Sequence, residues 1–506
     1  MAKTRGVGAG LAWKGASYVL EALKAWQTSR GSADRDLLYD RQTLLERSRA
    51  LMQNSPFAGA AVNAMEANVV GTGLRARPAL NCEILGISKD EASKWERKTR
   101  FLFEMWAGSK FCDAEGKNTF YQLQDLALKT QLISGDCFGL TTYQTSPASP
   151  FFTSIKLLEG DRCQNPPGLM ESDKIAGGIE VDSLGRPIAY HFTKRPIFSV
   201  DHYTDIVDTV RVPAYGNRTG RPQVIHVFIS DRPDQRRGIP WLAPVILTLK
   251  QEERYQDAEL MAAVVSGMFT VFVTTADSAS DPFLGNVPDG QRTEKKTADA
   301  ASELTNGGIV ELSQGEDVKF ADPGRPNTAY EPFVNAIFTE AAARLGIGKG
   351  IILKKFDSSY SASRAEFMES YKTFKRSRAN LASDFCQPIY EAWLAEAVMT
   401  HKIDAPDFFQ DPMKRALYSR CRWVGEAPGM LDPLRETQAI KMQVDEQYKD
   451  RSTATVEVTG GDYFDIVENL AEEQKKRDAS GIPAPGLVNK TESFSVATND
   501  TSESAL

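Results

Sequence analysis

Apolar residues recur at helical spacing from residue 34 to residue 132. Leu37, Leu38, Leu44, Leu45 and Leu51 interleave with Arg35, Arg41, Arg47 and Arg49, the stripe of an amphipathic helix. Asn54-Ser55-Pro56 breaks the run, and Pro56 suits the first turn of a second helix, where a missing N–H is harmless. That helix carries Phe57, Ala60, Ala61, Ala64 and Met65 and stops near Gly71-Thr72-Gly73. Two more are predicted, one over 90–107 with Trp95, Phe101, Leu102, Met105 and Trp106, and one from Asn118-Thr119 through Leu132. Ahead of them, 1–33 reads as a loosely attached arm with a short amphipathic helix from about Trp13 to Trp26.

The texture then changes to short β-type runs: Cys137 to Tyr143, Ser154 to Leu158, Gly178 to Val181, Ile188 to Phe192 and Val224 to Ile229. Gly185-Arg186-Pro187 marks a hairpin between two of them. A long helix is predicted from Pro240 to about Met268, roughly 45 Å at 1.5 Å per residue. Strands at Thr270 to Thr274, Ile309 to Leu312 and Val318 to Phe320 flank a polar stretch at 277–300. A helix follows over about 329–345, and then a glycine- and lysine-bearing loop from Gly346 to Tyr360. Ser363-Arg-Ala-Glu366 matches a capping box and opens a helix with the stripe Phe367, Tyr371, Phe374, Leu381, Phe385, Ile389 and Trp393. Pro388 within it predicts a kink. Helices over about 433–448 and 463–477 precede a Pro-, Gly-, Ser- and Thr-rich tail from Ala479, the composition of a disordered segment. Runs of helices alternate with runs of short strands, an α+β organisation.

Composition narrows the function classes. A hydrophobic content of 42% supports a real core, and a formal net charge of -7 argues against a protein that coats DNA through a broad basic surface. The longest apolar run, Met261 to Val273, is too short to span a bilayer. Cys82, Cys112, Cys137, Cys163, Cys386 and Cys421 form no C-x-x-C pair and read as reduced, mostly buried thiols. His191, His202, His226 and His401 form no ligand spacing. Gly346-Ile-Gly-Lys349-Gly350 lacks the hydroxyl residue and spacing of a phosphate-cradling loop, and Gly6-Val-Gly8-Ala-Gly10 follows no strand. Asp201-His202 and Glu180-Val-Asp182 lack further ligands, and Asp182 suits a β-turn. With no nucleophile elbow either, no catalytic residue, cofactor site or metal site is expected, and the chain is expected not to be an enzyme.

Several passages in a common order resemble the portal proteins of lambda-like tailed phages. They are Asn54-Ser-Pro-Phe-Ala through Asn68-Val-Val-Gly71-Thr-Gly73, Trp106 to Asp113 with Thr119-Phe120, Gly135-Asp136-Cys-Phe138 and Glu159-Gly-Asp161-Arg162. Gly178 to His191 and Val224-Ile-His226-Val-Phe228 continue the series, and the latter runs into Arg232-Pro-Asp-Gln235-Arg-Arg237-Gly238-Ile-Pro240. Ser359-Tyr360-Ser361-Ala-Ser363-Arg364 and Asp432-Pro433-Leu-Arg435-Glu436 complete it. The resemblance spans roughly 34–475. Arg236 and Arg237 alone read equally well as caps on strand ends.

The resemblance implies a portal fold. Its parts would be an arm (1–33), a β-rich wing (34–239), stem helices (240–269 and 326–345) around a clip (270–325), and a tunnel loop (346–361). A long kinked helix with the rest of the wing (362–431), a helical crown (432–478) and the tail (479–506) follow. Lys349, Lys354, Lys355, Ser358, Ser359 and Tyr360 would line the DNA channel. The implied function is a head–tail connector subunit, forming a dodecameric ring at one capsid vertex through which DNA is packaged and ejected. Implied partners are further copies of the chain, double-stranded DNA, the terminase large subunit, the major capsid protein and scaffold, and head-completion or neck proteins, with no membrane. The implied location is the virion, with the host cytoplasm during assembly. The alternatives are a packaging-associated nucleic-acid enzyme such as a nuclease and another ring or scaffold component; ring mass and a turnover assay separate them.

Overall fold

The computed structural model describes residues 14–16, 20–26, 28, 30–194, 208–267, 271–275, 316–320, 328–356, 359–427, 429, 432–461 and 463–481. Asp201-His202, the polar stretch 277–300, the strand at Ile309 to Leu312, Ser358 and the tail beyond 481 lie outside the described residues. So does most of the arm; within Trp13 to Trp26 a 3-10 turn at Lys14–Ala16 and the short helix α1 (Glu21–Lys24) are described.

Local chemistry sets where the N-terminal helices start. The Ser32 hydroxyl accepts the Arg35 N–H and opens α2 (Ala33–Asn54). Ser55 caps α3 (Pro56–Val69) through the Ala58 N–H, with Pro56 at the first helical position. After β1 (Arg75–Pro78) and the short α4 (Cys82–Leu85), complete capping boxes open both α5 (Lys89–Ala107, Ser88 with Glu91) and α6 (Phe120–Ser134, Thr119 with Gln122).

Among the described residues the paired strands run antiparallel. One sheet has the order β3-β2-β8, from β2 (Asp136–Tyr143), β3 (Thr153–Glu159) and β8 (Val224–Phe228). A second runs β4-β5-β6-β7, from β4 (Ile175–Ala176), β5 (Ile179–Val181), β6 (Pro187–Thr193) and β7 (Thr209–Pro213). The Gly185 hairpin joins β5 to β6 as predicted: Gly185 has φ 81°, and the Asp182 carboxylate accepts the Leu184 and Arg186 N–H groups.

The long helix starts later than predicted. A 3-10 turn at Ala243–Val245 precedes α7 (Ile246–Gly267), whose 22 residues span about 33 Å. The Pro244 ring would clash with the carbonyl four residues earlier in an α-helix; the chain instead closes a tighter turn, the Ala243 N–H bonding to the Pro240 carbonyl, and the Trp241 N–H bonds to the Leu132 carbonyl. The strands β9 (Val271–Thr275) and β10 (Glu316–Phe320) pair, and α8 (Tyr330–Leu345) follows. Tyr255 of α7 stacks on Tyr330 (5.8 Å between centroids) and meets Phe333 edge-on (4.9 Å).

Beyond α9 (Lys349–Leu353), α10 (Tyr360–Leu381) passes through a π turn at Ala382–Cys386 into α11 (Gln387–Met399). The predicted kink at Pro388 is thus resolved as a wider turn just before the proline, which takes up the ring's clash with the preceding turn. A short α12 (Pro412–Tyr418) leads to β11 (Cys421–Val424), paired with β1, and then α13 (Pro433–Asp445), α14 (Arg451–Thr459) and α15 (Tyr463–Ala479). The main core gathers around α11: Phe103 lies 5.0 Å from Trp393, 5.3 Å from Tyr390 and 5.7 Å from Phe120, all buried. The six cysteines are free thiols, four of them buried.

Candidate functional site

The segment between α8 and α10 is more ordered than a glycine loop. Gly346 ends α8 in the left-handed region (φ 73°), which favours glycine. Gly348 and Gly350 are small because Glu366 of α10 fills the space beside them: a Cβ on Gly348 would lie 2.2 Å from Glu366 Cγ, and one on Gly350 would lie 2.9 Å from its Oε2. The Gly350 N–H donates to Glu366 Oε1 and the Gly348 N–H to the Ser370 hydroxyl, both at 2.9 Å. Between them α9 forms, ended by Lys354 in the left-handed region, with Ile347 and Ile352 buried beneath it.

This corrects two expectations. The span Gly346 to Tyr360 contains a helix and is anchored at its glycines. Helix α10 begins at Tyr360, so Ser363 lies inside it, its N–H bonding to the Ser359 carbonyl. Glu366, expected to close a capping box with Ser363, instead reaches across to α9, where a free backbone donor lacks any other partner.

Of the predicted channel residues, Lys349 donates to Asn335 Oδ1 of α8 at 3.3 Å, and Lys355 sits 3.8 Å from Glu331 at the start of the same helix. Both partners of the Lys355 pair are largely exposed, so the pair adds little. Ser359 contacts the Ser361 hydroxyl at 3.3 Å, and exposed Tyr360 accepts from Arg364, which also reaches Glu436 of α13 at 3.5 Å. Chemically this is a cationic rim on a fixed base, with Lys354 and Lys355 exposed.

The most constrained polar site lies elsewhere. Asp136 at the start of β2 is fully buried and receives Arg41 of α2 (2.7 Å), Arg237 (2.8 Å) and His226 of β8 (3.0 Å). The Gly238 N–H adds a fourth donor at 2.6 Å. Burial pushes the Asp136 carboxyl up, but Arg237, Arg41 and His226 outweigh it and hold the group well below the usual carboxylate range. Burial lowers His226, whose ring is sandwiched between Phe138 (4.3 Å) and Phe228 (4.2 Å). Arg237 also donates to the carbonyls of Cys163 (2.8 Å), Gly177 (2.6 Å) and Gly160. Arg237 is therefore an internal tie between two sheets and α2 rather than a cap on a strand end. Arg236 is half-buried and bonds Asp34 and the Ser172 and Asp173 carbonyls.

Four of the sequence passages that resembled portal proteins meet at this node: Gly135-Asp136, Glu159 to Arg162, Val224 to Phe228, and Gln235 to Gly238. Arg49 of α2 braces the second of them, at 2.8 Å from Asp161 and 3.0 Å from Glu159. Among the described residues no cluster of His, Cys, Asp and Glu fits a metal ion, and no helix is long and apolar enough to cross a membrane.

The fold thus sets a buried ionic keystone between β-sheets and a helix, followed by a two-helix segment and a long helix broken by a π turn. The sequence profile described as "Phage portal protein, lambda family" matches residues 21–378, and the chain belongs to that family. The match starts inside the segment read as the arm. Portal protein B of Escherichia phage lambda is 25% identical over 485 residues, covering 92% of this chain and 89% of that protein. The portal protein of Escherichia phage N15 is 24% identical, with the same coverage. Among solved structures, a chain from the neck of an empty gene transfer agent particle, computed with C6 symmetry, aligns with a TM-score of 0.43 and 14% identity. That alignment covers 88% of this chain and 94% of the other.

Proposed function

We propose that this portal subunit assembles as a dodecameric ring at a single capsid vertex, and that the rim carrying Lys349, Lys354, Lys355, Ser359 and Tyr360 faces the DNA that moves through the ring. The observation that carries the reading is the anchored base of α9 beneath exposed lysines. It presents positive charge at a fixed height, which suits a surface past which DNA slides. An acidic chain with a few exposed cations attracts the duplex weakly and avoids the tight phosphate contacts that would stall it. In this reading α7 and α8 are the stem, β9 and β10 belong to the clip, and α13 to α15 form the crown.

Native mass of the purified protein tests the assembly: a species near twelve times the 55.8 kDa chain is expected, and a monomer under all assembly conditions overturns it. Replacing Lys354 and Lys355 together by Glu is expected to preserve ring mass and reduce DNA packaging by about tenfold. Unchanged packaging removes these lysines from the DNA path.

The terminase large subunit and the neck proteins are proposed to dock on the clip, 270–325, with capsid protein and scaffold around the wing. Deleting 277–300 is expected to yield rings that no longer retain the motor in a pull-down; rings that package normally place docking elsewhere. The portal is proposed to have no enzymatic step of its own. Motor-free rings incubated with Mg²⁺ or Mn²⁺ are expected to turn over neither ATP nor duplex DNA. Activity that follows the ring through purification and vanishes on changing one acidic residue favours the nuclease alternative.

A further inference from the structure

Helices α7 and α8 pack antiparallel as a two-helix layer. Leu249 near the start of α7 and Leu345 at the end of α8 both join the main core, and Tyr255 meets Tyr330 and Phe333 farther out. That aromatic contact sets the heights. With about 1.5 Å of rise per residue on each helix, Arg254 is level with Glu331, and Leu247 with Thr339.

The face of α7 turned away from both α8 and the core stays exposed. Leu247, Lys250, Arg254, Asp257, Met261 and Val264 follow each other at spacings of three and four, the seam of a helix that packs on another helix, and all six are exposed. Leu247 is 69% exposed and Met261 63%. The far edge of the layer has a different character. Pro332, Ala336, Thr339 and Ala343 make a shallow exposed seam on α8, with exposed Glu331 and Glu340 beside it.

Charge matches the two seams over the heights that the helices share, 246–256 against 331–341. There the α7 seam carries Lys250 and Arg254. Of the two acids in that stretch of α7, Glu252 is buried and Glu253 is paired with Lys250 at 2.8 Å, which leaves Arg254 to set the sign. The matching stretch of α8 carries Glu331 and Glu340 and no cation. Asp257 is level with Tyr330, beyond both acids.

We propose that the α7 seam of one subunit takes the α8 seam of a second copy, with Leu247 seated against Ala336, Thr339 and Ala343 and Arg254 meeting Glu331. Two unlike faces on opposite edges of one layer give a head-to-tail contact, and such a contact closes into a ring when the rotation closes. Rotation about an axis along the layer preserves height, so residues level within a subunit are also level between neighbours. The proposal rests on the ring reading and adds which surfaces close the ring.

Full-length chains carrying Leu247→Cys together with Thr339→Cys, treated with a short bismaleimide, are expected to give a covalent ladder of successive multiples of the chain. Either cysteine alone, and the native chain with its six cysteines, is expected to give none. A covalent dimer from Leu247→Cys alone sets α7 against α7 and overturns the proposal. Arg254→Glu is expected to raise the chain concentration needed for half-assembly by about tenfold, and Glu331→Arg added to it to restore assembly. Where the cysteine pair assembles poorly, this reversal decides: assembly unchanged by Arg254→Glu, or not recovered by Glu331→Arg, overturns the contact. Rings of native mass that give no ladder sink the contact and spare the ring reading, whereas a native chain that never forms rings sinks the ring reading itself.

Discussion

Replacing Asp136 with Ala is expected to destabilise the fold by about 3–5 kcal/mol, the cost of removing one member of a buried charge cluster. The change leaves Arg237 and Arg41, which are 1% and 6% exposed, beside each other with no counter-charge. It also takes away the acceptor for His226 and for the Gly238 N–H. In a chain that relies on this node to join two sheets to α2, a fall in melting midpoint of about 10 °C is expected, read by thermal denaturation. The pH dependence carries a further signature. Because the folded state holds the Asp136 carboxyl below its ordinary value, its stabilisation is fully present above the unfolded pKa of about 4 and is lost as pH falls toward the folded value. The gap between native and variant proteins should therefore narrow below about pH 4. A gap that stays constant down to pH 2 assigns the loss to the cavity rather than to charge.

Gly238→Ala is expected to cost about 3 kcal/mol through overpacking. The added Cβ would lie 2.0 Å from the Gly135 carbonyl oxygen and 2.6 Å from its carbon, both backbone atoms that cannot swing aside. Gly135 itself holds φ 85°, so the two glycines form a close backbone crossing just where β2 begins. Opening that crossing lengthens the 2.6 Å bond from Gly238 N–H to Asp136 as well. Gly59→Ala is the matched control. It sits in α3 with only the Met52 carbonyl near, at 3.7 Å, and alanine there is expected to stabilise by about 0.5–1 kcal/mol. Denaturant midpoints that move the same way for both variants would contradict the crossing.

The helices were legible wherever periodicity and capping agreed. Ser55-Pro56 and the run after Thr119 marked helix starts that the structure reproduces, because the capping side chain and the apolar stripe are both local. Pro240 misled as a helix start, since Pro244 excludes an α-helix running through it. The strand pair β1–β11 joins residues more than 340 positions apart and had no local signal in Arg75-Ala-Arg-Pro78. The polar stretches between short helices hid α12 and α14. At the candidate channel rim, glycine and lysine content located the segment but not its anchoring: Glu366 looked like a capping partner for Ser363 three residues away, and its real partner is a backbone donor sixteen residues away. Arg237 was noticed in sequence and misassigned, because its three carbonyls and its carboxylate come from three separate passages, around Asp136, Gly160 to Cys163, and Gly177.

The Glu366 and Ser370 contacts make α9 a geared part rather than a dangling one. Lys354 and Lys355 follow directly on α9, which two 2.9 Å bonds tie to α10, and α10 runs on to the π turn at Ala382–Cys386. A π turn sits in the rod like a universal joint, where a helix yields in direction without losing continuity. Helix α10 therefore ties α9 to α11, whose Tyr390 and Trp393 pack in the aromatic core around Phe103.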